Sequence, residues 1–97
     1  MKHCILVKYN ESVDAQKKAD LQPQIEELFG QLLTMDGIHG VDIIPNVIAR
    51  PNRYDLLIRI DMDEETLPLY DASEPHHIWK RDYAQYLEKK AIFDYEA

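Results

Sequence analysis

Apolar and polar residues alternate most clearly over Tyr54–Met62. Tyr54, Leu56, Ile58, Ile60 and Met62 fall on one side, and Asp55, Leu57, Arg59 and Asp61 on the other. A period of two marks a β-strand with one face on a core. The stretch His3–Tyr9 has the same period, with His3, Ile5, Val7 and Tyr9 opposite Cys4, Leu6 and Lys8. Both of its sides are largely apolar, which a strand wetted on one face does not show. A further strand is expected from about Gly40 to Ile48. Pro45 within it cannot donate to a ladder, so this strand belongs at a sheet edge. Ala91–Tyr95 reads as a closing strand.

Between these strands the period lengthens. Ser12 is placed to cap a helix, and Asp14 suits the positive end of its dipole. Pro23 should kink or restart that helix. Beyond it Ile25, Leu28, Phe29, Leu32 and Leu33 form one apolar stripe, and Gly37 stops the run. Asp63-Glu64-Glu65 opens a short helix disturbed by Pro68. Another start follows at Ser73, with Pro75 in its first turn, where proline is tolerated. His76, Trp79, Tyr83 and Leu87 share a stripe there, with Tyr86 beside it.

The order is strand, helix, strand, strand, helix, strand. It predicts an α+β, ferredoxin-like βαββαβ fold: a four-stranded antiparallel sheet with helices on one face. The 97 residues suffice for a single domain spanning 1–97 and not for two. Such a chain buries only about two thirds of the surface its unfolded form exposes. With helices on one face only, Leu6, Leu57 and their neighbours on the other need cover. A second copy of the chain, packed sheet to sheet, is the expected partner.

Composition narrows the function classes. The net charge is −7, which disfavours phosphate backbones and anionic lipid surfaces, so neither nucleic acid nor membrane is an expected partner. The third strand has an aromatic only at Tyr54, too few to stack bases as RNA-recognition modules of this strand order do. One cysteine, Cys4, excludes an internal disulfide, suits a reducing compartment and reads as a buried, inert thiol. No signal-peptide pattern precedes the first strand, and a cytoplasmic location is expected.

The candidate chemistry gathers around His76. Antiparallel pairing of first and last strands would bring His3 near Asp94, and the helix begun at His76 must pack on this sheet. An imidazole held by a carboxylate has a fixed tautomer and a raised basicity, as a general base near neutral pH requires. The catalytic set expected is therefore His76 as base, Asp94 as its orienter and Tyr70 as hydrogen-bond donor to a developing oxyanion. His3, Trp79 and Tyr83 are expected to contact the substrate. The alternative is that His76 and Asp94 form a structural pair without catalytic duty. A metal at His3, His76 and His77 is not expected, because adjacent helical residues point about 100° apart. The acidic run Asp61–Glu65 lacks calcium-loop spacing and reads as a solvated helix start. No cofactor is called for.

Several of these residues also resemble a known family. Lys2-His3 leading into an apolar strand, Tyr54-Asp55-Leu56-Leu57, a Pro-His helix start after Tyr70, and the closing Ile92-Phe93-Asp94-Tyr95 are similar to the stress-responsive dimeric α/β-barrel (Dabb) family, from His3 to Glu96. The resemblance implies a homodimer whose two sheets form a barrel, with a small pocket between each sheet and its helices. It also implies a choice of roles. Most members have no established activity, some are stress-associated plant proteins, and one, olivetolic acid cyclase, closes a ring by an aldol-type condensation. The cyclase has a pocket tyrosine six residues before its catalytic histidine and a Phe-Asp-Tyr phenylalanine seventeen after it. Tyr70, His76 and Phe93 keep both spacings here. By the same resemblance His3 is a pocket histidine and Asp94 the aspartate holding the catalytic imidazole. Alignment on Pro75 would select His77 instead. The cyclase's pocket histidine on the third strand has no counterpart at Asp55 or Leu56, which weighs against a polyketide substrate. A monooxygenase of similar dimeric architecture, poor in cofactor requirements or linked to haem, is a further alternative.

Overall fold

The computed structural model describes residues 1–96. Strand β1 (Lys2–Tyr9) leads into helix α1 (Ala15–Gly30), which a single 3-10 turn extends to Thr34. Strands β2 (Ile38–Pro45) and β3 (Leu56–Met62) follow, then the short helix α2 (Leu67–Asp71), helix α3 (Glu74–Asp82) and strand β4 (Leu87–Tyr95). The sheet order is β2-β3-β1-β4, antiparallel throughout, which is the ferredoxin-like arrangement. Pro45 lies on an edge strand, as its missing amide donor requires.

The register sorts the sheet into rows. On the helix side, Ile43, Ile58, Ile5 and Ile92 lie side by side across all four strands. The next row on that side reads Val41, Ile60, His3 and Asp94. Against these rows pack Leu21, Ile25, Leu28, Phe29 and Leu32 from α1 and its extension, with Trp79 from α3. Trp79 meets Phe29 edge-on and stacks on Tyr83, fastening α3 to α1. The opposite face carries the row Ile44, Leu57, Leu6 and Ala91, with no helix over it among the described residues.

Several local expectations are corrected. Asp14 caps α1, its carboxylate accepting the Lys17 amide at 2.8 Å. Ser12 instead closes a turn on the Asn10 side chain, to which its amide donates. The helix neither ends nor restarts at Pro23, which lies on the exposed face, where water can satisfy the carbonyl it orphans. Leu33 is exposed, because the tightening to a 3-10 turn rotates it off the apolar stripe. Strand β2 starts earlier than expected and ends at Pro45, and β4 already begins at Leu87, which therefore leaves the helical stripe.

Candidate functional site

A cavity of about 300 Å³ opens between the sheet and helices α2 and α3. Its polar lining is His3 and Asp94 from neighbouring strands, Tyr70 and Asp71 from α2, and His76 from α3. Ile5, Leu67, Trp79 and Ile92 supply the apolar walls. The ammonium-bearing side chains Lys80 and Lys90 complete it. Five of the six expected site residues are thus brought together.

Each is positioned by a local cause. His3 and Asp94 are direct partners in the β1–β4 register. Tyr70 ends α2 on its buried side. Ser73 caps α3, its hydroxyl accepting the His76 amide and donating to the Tyr70 carbonyl, so it ties the two helices at the residues that matter. Tyr70 then lies between two imidazoles: its ring centroid is 5.4 Å from His3 and 4.8 Å from His76.

The hydrogen bonds define the tautomers. His76 Nδ1 is 2.9 Å from the Asp71 carbonyl oxygen, which can only accept, so Nδ1 carries the proton. In neutral His76 the free lone pair is therefore on Nε2. Partial burial lowers its pKa from the ordinary value, the Asp71 contacts oppose this, and the charges of Lys80 and Lys90 add a little to the lowering. At neutral pH the ring is an uncharged base. His3 Nδ1 is 2.5 Å from a carboxylate oxygen of Asp94. The expected pairing of Asp94 with His76 is thus corrected: Asp94 holds His3, its strand partner, and a backbone carbonyl holds His76. The reason is reach, since the two β residues already face each other while His76 projects from across the cavity.

The hydroxyl of Tyr70 is buried and has no hydrogen-bond partner among the described residues. Burial pushes its pKa far up, with Asp71 adding to the effect, so it stays an O–H donor at any physiological pH. Such an orphan is rare, because an unmade buried hydrogen bond costs about 1–3 kcal/mol, and it lies just behind the cavity surface.

Tyr83 does not reach this cavity. Its ring stacks on Trp79 and its hydroxyl donates to Gln24 at 3.3 Å, so the structure does not bring it to the other five expected residues. His77 is exposed, which favours His76 as the motif histidine. Lys80 is exposed yet lines the cavity, one helical turn after His76. That spacing is the signal that identifies it, and the strand pairing Val7–Lys90 and Ile5–Ile92 does the same for the β4 side. Cys4 is buried and burial raises its pKa, in keeping with an inert thiol. No helix among the described residues is long and apolar enough to cross a membrane.

No protein-family model matches the sequence, and no curated protein matches it. Solved structures do match. A dimeric protein of unknown function with a ferredoxin-like fold from Bacteroides fragilis is 18% identical, with a TM-score of 0.81 over 99% of this chain and 94% of that one. A Dabb family protein with a ferredoxin-like fold from Mesorhizobium loti is 12% identical, with a TM-score of 0.74 over 99% and 94%. The hydroxynitrile lyase of Passiflora edulis is 15% identical, with a TM-score of 0.72 over 97% and 89%. The fold expected from the sequence, and its likeness to the Dabb architecture, are borne out.

Proposed function

We propose that the chain acts as a homodimer and that the cavity beneath α3 binds a small organic ligand with a carbonyl group, from whose neighbouring carbon His76 removes a proton. The observation that carries this reading is the imidazole of His76 in the cavity wall, its Nδ1 held by the Asp71 carbonyl, with the ring of Tyr70 packed between it and His3. A donor with no protein acceptor, kept protonated by its surroundings, suits an oxygen on which negative charge develops. His76 Nε2 is the base, with Asp71 holding the ring by its other nitrogen. His3, oriented by Asp94, positions the ligand with its own Nε2. Trp79 forms a wall. A hydroxynitrile lyase shares this fold, which is compatible with an enzyme role, and similar structures described as dimeric support the homodimer.

The satisfied His3–Asp94 and His76–Asp71 contacts favour a second reading, in which the cavity binds its ligand without turnover. A stress-associated protein would fit that description. Deuterium exchange at the α-carbon of ketone probes in D₂O, followed by NMR, separates the two. The parent protein is expected to accelerate exchange. His76→Ala should lower that acceleration by about 10²-fold or more at an unchanged melting temperature. Full exchange in the variant, or no acceleration by the parent, rejects catalysis by His76. A cytoplasmic location accords with the buried, lone Cys4.

A further inference from the structure

The chain is strongly acidic, with 18 carboxylate side chains against 11 lysines and arginines. In such a protein lysines readily find partners, and most of them do. Lys2 pairs with Asp61 and Lys18 with Asp55. Lys8 donates to the carbonyls of Pro51 and Arg53. Lys17 lies over the ring of Tyr86 and Lys89 over that of Tyr54. Among the described residues, two lysines remain without a hydrogen bond, an ion pair or an aromatic ring: Lys80 and Lys90. Both line the cavity that Tyr70 also borders.

Two exposed ammonium groups without a protein partner thus border a single hollow, whose wall includes the ring of Tyr70 with its unpartnered hydroxyl buried behind the surface. The nearby carboxylate of Asp94 is already engaged by His3. We infer that the ligand carries an anion for these two lysines, and that it is an oxo acid: a small compound whose carboxylate lies between Lys80 and Lys90 while its ketone oxygen takes the Tyr70 hydroxyl as the ring shifts to open it. This rests on the ligand-pocket reading above and narrows it to a substrate class. Trp79, Lys80 and Lys90 also border an adjacent apolar groove of about 260 Å³, floored by Ala84 and Leu87. The ammonium pair therefore stands at the junction of the two hollows, with room for an apolar substituent on the far side.

A carboxylate fits this site better than a phosphate. The start of α3 is closed to a dianion: its His76 amide donates to Ser73, and Glu74 places a negative charge in the first turn. Two exposed lysines, without an arginine in the lining, suit a single dispersed charge.

The test uses 4-oxo-4-phenylbutanoate, its methyl ester as the uncharged counterpart, and inorganic phosphate. Binding is followed by amide shifts and by the fluorescence of Trp79, the one tryptophan of the chain. The acid should bind roughly five- to tenfold more tightly than the ester at low salt, an advantage typical of solvent-exposed ammonium groups and eroded by added salt. In the double variant Lys80→Gln/Lys90→Gln, acid affinity should fall to that of the ester, the ester's should stay unchanged, and the melting temperature should hold. Equal binding of acid and ester, or an undiminished acid affinity in the double variant, overturns the oxo-acid assignment and leaves the pocket reading standing. Phosphate displacing the acid at lower concentration overturns it in favour of a phosphate ligand. Neither organic probe perturbing Tyr70, His76 or Trp79 sinks both readings together.

Discussion

Tyr70 is the residue at which stability and function pull apart. Its side chain is 1% exposed and its hydroxyl has no partner, so the fold bears a desolvation cost with no visible return. Tyr70→Phe should therefore leave stability unchanged or raise it by up to about 1 kcal/mol in chemical denaturation, while weakening ligand binding and abolishing any α-proton exchange. A destabilised phenylalanine variant would mean that the hydroxyl has a structural partner and is no orphan. His76 makes the same point through pH. Burial lowers its pKa in the folded chain below the value near 6.5 that it has when unfolded. The unfolded state then takes up the proton first. This residue's contribution to stability is thus present above pH ~6.5 and is lost as pH falls toward the folded pKa. Melting temperatures across that interval should fall less steeply in His76→Asn than in the parent, and exchange activity should share the acid limb. At this scale the sequence was legible in residue type and in strand register, which is why His3 and Asp94 could be placed together. The partner of His76 was not legible. It is a backbone carbonyl, and no side-chain pattern announces one.

Among the elements, the strands were read more accurately than their ends. Alternation located β3 and β1, because burial of one face imposes a period of two wherever a strand lies on a core, whereas the half-exposed edge strands β2 and β4 carry no such period. The ends depend on local competition that alternation does not record. Asn10 captures Ser12 and leaves Asp14 to cap α1, and α1 tightens into a 3-10 turn that carries Leu33 into water. Gly37 shows how much one such junction can hold. It has φ of +88°, and a Cβ built on it would lie 2.0 Å from the Thr66 hydroxyl oxygen, where the start of β2 meets the segment before α2. Its carbonyl also accepts the Asp63 amide. Gly37→Ala should cost about 2–4 kcal/mol in denaturant unfolding, from left-handed backbone plus collision. Adding Thr66→Ala should relieve the collision and not the backbone cost, so the double variant should recover only part of the loss. Full recovery would show that conformation at Gly37 carries no weight.

For the whole molecule, the sheet is a septum with chemistry on one side and oil on the other. Ile44, Leu57, Leu6 and Ala91 run across all four strands on the uncovered face, Phe93 next to them is 63% exposed, and Val47 beyond β2 is 92% exposed. A hollow of about 350 Å³, larger than the one beside His76, opens there among Leu6, Ile44, Val47 and Leu57, and apart from Tyr54 its walls bear no titratable side chain. That hollow suits an apolar knob from a partner rather than a reactive ligand. The adjoining row carries the Asp42–Arg59 ion pair, which borders the apolar band and would penalise a slipped docking. Leu57→Lys puts an ammonium at the centre of this band. In a dimer joined through it the charge would be buried without a partner, a cost of several kcal/mol, whereas in a monomer it reaches water freely. The variant should therefore sediment as a monomer at concentrations where the parent sediments as a dimer. Its oxo-acid affinity should change little, because Tyr70, His76 and the two lysines lie on the other side of the sheet. A parent protein that is monomeric at all concentrations would leave the apolar band without an occupant. A variant that stays dimeric would move the interface elsewhere.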